Sequence, residues 1–269
     1  MTGYVLVRGG GDLGSGAVVR LTRAGIRALV LEAAQPLAVR REVAFAEAVY
    51  TGESEVEELR AVRVVNVSEI QNAWRQGWVP VMVDPQAEIR GELPPVAIVD
   101  ARMTKRPPEL GLDAAPLVIG LGPGFVAGEN CHAVVETMRG PDLGRVLWNG
   151  SAASDTGLPD PVWLHQADRV LRAPCSGRFQ ARVEIGQRVQ EGQVVAEVDG
   201  QPVRTVFSGV VRGLLHSGLD VQKGLKVGDI DPRDDARLAY LVSDKALAVG
   251  GGVLEAVLAR REIRAQLWE

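Results

Sequence analysis

Residues 176–198 and 208–230 match one another at a fixed offset of 32. Ser176-Gly177 stands opposite Ser208-Gly209, Gly186 opposite Gly218, Val189 opposite Val221 and Gly192 opposite Gly224; Val195 and Val198 meet Val227 and Ile230. Short apolar runs cut by glycines at recurring places are strands joined by tight turns, because glycine reaches the positive-φ angles that such turns need. Two copies in one register predict two interlocked β-units related by a pseudo-twofold axis. Upstream, "WNGSAASDTGLPDP" at 148–161 is rich in Gly, Ser, Asp and Pro and reads as a linker. The expected organisation is a first domain over 1–150, a linker over 151–166, the repeat domain over 167–231 and a C-terminal helical segment over 232–269.

Within the repeat, "APCSGRFQARVEIGQRVQEGQVVAEVDG" resembles the biotinyl/lipoyl carrier fold, which implies a small all-β barrel-sandwich hybrid domain. A carrier needs a lysine at the tip of the hairpin joining its halves. Here that tip is "DGQPVR", 199–204, without lysine, and Lys223 and Lys226 lie inside the second unit. No biotin or lipoyl attachment is expected, and the domain reads as an interaction or ligand-covering module. In the C-terminal segment, Gly250-Gly251-Gly252 marks a kink, a boundary or a new helix start. Its amides offer a second anion site, or its bareness a tight packing contact. Asp231, Arg233, Asp244 and Lys245 are either crevice-facing or structural ion pairs.

The first 150 residues alternate between short apolar runs and helical stretches. The runs are "YVLV" (4–7), "ALVL" (28–31), "VPVMV" (79–83), "VAIV" (96–99) and "PLVIG" (116–120). They are too uniformly apolar for a half-solvated sheet. "LGSGAVVRLTRAG" reads as a helix closed by Gly25, and "VSEIQNAWRQG" as one capped at Ser68 and stopped at Gly77. The pattern predicts an α/β class chain with a Rossmann-like, mainly parallel doubly wound sheet. Its five strands run into Arg8, Glu32, Asp84, Asp100 and the "GLGPG" turn at 120–124. As a set, these endings favour one crevice at the carboxyl ends of the strands.

The first of those endings carries the most chemistry. Gly9-x-Gly11-x-x-Gly14, with Gly10 between, follows a strand and opens a helix. Such a turn lets the backbone approach a phosphate and aims free N–H groups and the positive helix end at it. Glu32, at the end of the second strand, suits ribose hydroxyls. Asp12 sits inside the turn, and Arg40 and Arg41 offer forked donors to a phosphate or form a solvated face. Lys105 and the Gly122-Pro123-Gly124 turn are secondary contacts; Asp12, Asp84 and Asp100 are candidates for a divalent ion if they converge. His132, His165 and His216 are scattered, and none pairs with an acid in sequence.

A net charge of −4 with no basic, aromatic-interleaved stripe argues against nucleic acid, and no apolar run has membrane-spanning length. Cys131 and Cys175 lack CxxC spacing, and the N-terminus enters a strand without a signal-peptide layout. The expected location is cytoplasmic. No catalytic residue is singled out.

"RGGGDLGSG", "PLAVRREVAFAEAVY", "VDARMTKR", "GLGPGFVAGENCHAVVETMRG", "VGDIDPR" and "SDKALAVGGGVLEAV" together resemble one bacterial family. It is the YqeB-type accessory proteins of the selenium-dependent molybdenum hydroxylase system. The resemblance implies a role in maturing xanthine-dehydrogenase-like enzymes, with hydroxylase subunits or other maturation factors as partners. It implies handling of the molybdenum cofactor or its labile selenium; taken with the glycine turn, the candidate nucleotide-bearing ligand is the molybdenum pterin dinucleotide cofactor, its pyrophosphate at Gly9–Gly14 and Glu32 on a ribose. The alternatives are an NAD(P)-dependent oxidoreductase and a non-catalytic docking protein for hydroxylase subunits. A homodimer is the assembly expected of a parallel-sheet chain of this size.

Overall fold

The computed structural model describes residues 3–104, 106–155, 157, 162–163 and 165–268. Packing divides the chain into a larger unit, Met1–Pro36, Phe45–Asp155 and Val242–Glu269, and a smaller one, Leu37–Ala44 and Thr156–Leu241. The division cuts across the sequence boundaries: the C-terminal helices pack in the larger unit, and a short piece of the N-terminal region packs in the smaller.

The larger unit holds β1 (Val5–Arg8), α1 (Asp12–Arg23), β2 (Ala28–Glu32), α2 (Ala48–Thr51), β3 (Glu53–Val56), β4 (Leu59–Val64), α3 (Val67–Arg75) and β5 (Val79–Val83). It continues through β6 (Ala97–Asp100), β7 (Leu117–Leu121), β8 (Val126–Ala127), β9 (Ala133–Val135), β10 (Val146–Leu147) and β11 (Gly150–Ser151), and ends in α4 (Asp244–Ala259) and α5 (Arg261–Trp268). Nine strands form one sheet in the order β10-β9-β7-β6-β1-β2-β5-β4-β3, and β8 pairs separately with β11. From β9 to β4 neighbours are parallel, while the edge strands β10 and β3 run antiparallel.

All five apolar runs are strands of this sheet, yet the expected class is corrected. The sheet is mixed, and it is not doubly wound. The links β5–β6 and β6–β7 carry only 3-10 turns, Glu88–Gly91 and Leu112–Ala114, where a doubly wound sheet would place crossover helices. The α1 helix packs instead against α4, from the far end of the chain. A Cβ on Gly16 would lie 2.4 Å from the Ala246 carbonyl oxygen, and one on Gly250 2.3 Å from that of Gly16. The glycine triplet therefore neither breaks nor starts a helix. It lies inside α4, where bare backbone permits the close approach that offsets its helix-propensity cost.

The hairpin β3–β4 turns through Glu57 and Glu58, both at positive φ (45° and 73°). Glutamate is a poor choice for such a turn. Glu57 is held by Arg23 at 3.1 Å and accepts the Val242 N–H at 2.8 Å. The α3 cap is Asn66, two residues earlier than Ser68: its Oδ1 accepts the Glu69 N–H at 2.9 Å.

The smaller unit holds β12 (Val170–Arg172), β13 (Gly177–Ala181), β14 (Arg188–Val189), β15 (Val194–Val198), β16 (Gln201–Arg204), β17 (Gly209–Leu214), β18 (Asp220–Val221) and β19 (Lys226–Asp231). The offset of the repeat holds strand by strand, with β13, β14 and β15 recurring as β17, β18 and β19. Each copy lends its short strand to the other, β14 to β17 and β18 to β13. The result is two four-stranded antiparallel sheets, β12-β19-β17-β14 and β16-β15-β13-β18. These sheets replace the expected barrel-sandwich hybrid, which is the second part of the correction. Phe179, Val195, Val198, Val211 and Leu214 are fully buried between apolar faces of the unit.

Leu37–Ala44 completes this unit. A Cβ on Gly213 would lie 2.6 Å from the Val39 carbonyl oxygen, and Arg41 Nε donates to the Leu214 carbonyl at 2.9 Å. Among the described residues no helix is long and apolar enough to cross a membrane.

Candidate functional site

Parallel register lines up the carboxyl ends of the central strands. Arg8 pairs with Leu31 and Asp100, and Asp100 with Gly120. The glycine turn leaves this row at the middle of the sheet. Gly9 N–H donates to the Leu31 carbonyl at 2.8 Å, continuing the ladder by one residue. A Cβ on Gly14 would meet the Gly9 carbonyl oxygen at 1.9 Å, so only glycine lets α1 start this close to β1. Gly11 is the N-cap of α1 without a side-chain cap on the helix. A Cβ there would have no heavy atom within 4 Å. Space therefore lies open beside Gly11 at the start of α1, and a helix start is where backbone donors and the positive dipole end attract an anion.

Glu32 reaches this turn, but its first occupation is the turn itself. Its Oε1 accepts the Gly10 N–H at 2.7 Å and its Oε2 the Ala33 N–H at 3.0 Å. Burial raises its pKa, against the lowering effect of those two bonds. Gly10 is further fixed by Ser15 Oγ and the Ala46 N–H on its carbonyl, at 2.9 and 3.0 Å. A ligand hydroxyl would find a carboxylate already oriented by the turn.

Beside the turn lies a charge network that sequence reasoning did not assemble. Buried Arg8 donates to Asp100 at 3.2 Å, to Glu109 at 3.4 Å and to the Pro85 carbonyl at 2.8 Å. Arg102 folds back on Asp100 through Nε (3.0 Å) and Nη2 (2.6 Å), and also meets Glu109 at 2.5 Å. Burial pulls the Arg8 guanidinium below its ordinary value. Burial acts the same way on Arg102, but bonds to Asp100 and Glu109 outweigh it and raise that group. Glu109 is driven down to about 2, chiefly by its bond to Arg102. Two guanidiniums balance two carboxylates, so the network is a rigid neutral wall. Its detectable sequence signal was the Asp-x-Arg spacing of "DAR", which recurs at 231–233 and 235–237.

The other candidates are placed elsewhere. Asp12 is half-buried at the first position of α1. Asp84 accepts the N–H groups of Glu88 and Ile89 at 3.0 and 2.9 Å and so builds its own turn. Asp100 is taken by two arginines. Among the described residues no cluster of three or more His, Cys, Asp or Glu is arranged to hold a metal ion. A Cβ on Gly122 would strike Thr137 Oγ1 at 2.4 Å, and one on Gly124 the Arg106 carbonyl oxygen at 2.9 Å. Arg40 belongs to the smaller unit, where its guanidinium donates to the carbonyls of Leu238 (3.1 Å) and Leu241 (2.8 Å). Lys105 lies outside the described residues. Burial pushes the Cys131 thiol up to about 11, away from thiolate chemistry.

No family model matches the chain. Over 254 residues, 94% of its length, it is 44% identical to the uncharacterized protein YqeB of Escherichia coli (strain K12). The match supports a YqeB-type protein. The chain spans about half of that relative, 47% of its length. Among solved structures it is similar to an aspartoacylase family protein of Mesorhizobium loti (13% identity, 85% of each chain, TM-score 0.26). It is also similar to the apo ectoine utilization protein EutE (DoeB) of Ruegeria pomeroyi (12% identity, 86% of each chain, TM-score 0.27). These distant likenesses carry no chemistry to this chain.

Proposed function

We propose that the larger unit binds the phosphate portion of a nucleotide-bearing ligand at Gly9–Gly14, and that the chain serves as an accessory protein in maturing a selenium-dependent molybdenum hydroxylase. The ligand in this reading is the molybdenum pterin dinucleotide, with hydroxylase subunits or other maturation factors as partners. One observation carries it: the uncapped first turn of α1 opens at Gly11 onto empty space at the carboxyl edge of the central strand. Pyrophosphate oxygens would accept from these amides, Glu32 would take a ribose hydroxyl, and the neutral Arg8–Asp100–Arg102–Glu109 wall would fix the turn. Similarity to YqeB supports the accessory role only through the resemblance already described.

The test is mass spectrometry of ligands released from freshly purified protein, with calorimetric titration of pterin and nicotinamide nucleotides. Gly11→Val is the control, because Gly11 has negative φ (−72°) and its Cβ direction is empty, so valine fills ligand space without disturbing the core. Pterin dinucleotide bound by wild type and lost in Gly11→Val is the expected result. Nicotinamide nucleotide in its place would transfer the site to an oxidoreductase, and no binding by either protein would end the nucleotide reading.

A further inference from the structure

The opposite edge of the large sheet carries a second concavity. A cavity of about 800 Å³ opens there, lined by Tyr4, Arg27, Trp74, Arg75, Glu92 and Leu93 among others. Tyr4 immediately precedes β1, and Trp74 and Arg75 sit in the last turn of α3. Across β1 from the glycine turn, the two openings are separated by four residues of strand, roughly 13 Å. They are independent sites.

The volume is within the range that encloses a small organic molecule. The lining also has a definite chemistry. Trp74 Nε1 donates to the Ala28 carbonyl at 2.8 Å, which spends its polar edge and leaves the half-buried indole an apolar lining of the cavity. The Tyr4 hydroxyl is likewise spent on the Leu93 carbonyl at 2.5 Å, and its ring lies 5.0 Å from that of Trp74, tilted by 45°. Arg27 stands 5.8 Å above the Trp74 ring. Trp74 and Arg27 also line a smaller cavity of about 240 Å³, so the indole, packed against the core on one side, has space beside it on others. The lining includes two guanidiniums, Arg27 and Arg75, and one carboxylate, Glu92.

We propose that this amino-edge cavity binds a planar aromatic molecule bearing one anionic group, its ring against Trp74, which buried Tyr4 backs, and its charge at Arg27 and Arg75. An indole fixed by its own hydrogen bond rewards a flat ring. The surplus of one positive charge among these lining groups rewards a monoanion, and guanidinium donors would hold a carboxylate, sulfonate or phosphate group.

Anilinonaphthalene sulfonate is a probe of this class, and phenylnaphthylamine is its uncharged counterpart. Fluorescence titration of the intact chain is expected to show one saturable site for the sulfonate, with energy transfer from tryptophan, and binding of the neutral probe weaker by about tenfold. Arg27→Gln changes an exposed side chain and is expected to cost the sulfonate about tenfold while leaving the neutral probe unchanged. Trp74→Leu is expected to abolish binding of both; should it fail to fold, Arg27→Gln and Arg75→Gln decide alone. Equal affinity for the two probes, or sulfonate binding unaltered by both arginine variants, would overturn the proposal. So would its loss in Gly11→Val, which would assign the probe to the glycine turn. Retention in Gly11→Val keeps the two sites distinct whatever becomes of the nucleotide.

Discussion

The two units each contain a carboxylate that ends a strand and is gripped by the arginine two residues on. Asp100 and Arg102 close β6, and Asp231 and Arg233 close β19, with nearly identical forks: Nε to Oδ1 at 3.0 and 2.9 Å, Nη2 to Oδ2 at 2.6 Å in both. Their neighbours differ. Asp100 shares a chain of charges that runs out to Glu109, whose side chain is 62% exposed. Asp231 instead faces Arg212, which also approaches Asp229, itself paired with Arg169. The first network ends in water, and the second is three guanidiniums on two carboxylates that are almost wholly buried. Local sequence makes the fork; burial decides what it is worth.

Removing a carboxylate from the buried cluster is the severest way to break this comparison. Asp229→Ala strips a partner from Arg169 and Arg212 together, and is expected to cost about 3–5 kcal/mol in urea unfolding. A loss no greater than that of an exposed pair would mean the smaller unit admits water at this place. Asp100→Ala is expected to cost less, about 1–3 kcal/mol, because Arg8 keeps the Pro85 carbonyl and Glu109.

Acid titration sharpens the contrast further. Burial opposes ionisation of Asp231, but the bonds from Arg233 prevail and depress its pKa. Its contribution is therefore complete above the ordinary 3.8 and is lost as pH falls through the lower folded value. Glu109 behaves in the same sense, complete above 4.5 and lost toward about 2. Asp231→Asn is expected to flatten the acid limb of the stability curve at any ionic strength, whereas the effect of Glu109→Gln is expected to vanish in molar salt. The smallest effect belongs to a third fork, Asp235 and Arg237, whose guanidinium is 83% exposed. Arg237→Ala, which leaves the Asp235 cap on the Arg237 N–H in place, is expected to leave the melting temperature unchanged.

What the sequence discloses follows the same division between local and distant causes. The five buried strands are visible because runs of four or five apolar residues have one reading in a covered sheet. The spacing of Gly9, Gly11 and Gly14 is visible for the same reason, since the turn is made by its own residues. The recurrence at an offset of 32 is visible too, but how its strands divide into sheets is not. The Glu57-Glu58 turn is hidden: its angles are supported by Arg23 and Val242, which are not sequence neighbours. Gly250 looks like a helix breaker until Gly16 is placed against it. Arg40 looks like a phosphate ligand because a sequence shows its charge and not the carbonyls of Leu238 and Leu241. A doubly wound sheet needs crossover helices after β5 and β6, but only 3-10 turns stand there, and the helix packed on α1 is α4 from far along the chain.

The short piece Leu37–Ala44 has a consequence for the order in which the protein is made. Arg41 meets its acceptor 173 residues later in the chain, and Arg40 meets one of its own 201 residues later. At ribosomal speeds of about 5–20 residues per second, these arginines wait on the order of ten to forty seconds for their partners to emerge. The larger unit waits as well, since α1 is made long before α4. Vectorial synthesis therefore interleaves the two units: each holds an early segment in reserve, the smaller until Leu241 has emerged and the larger until α4 follows it.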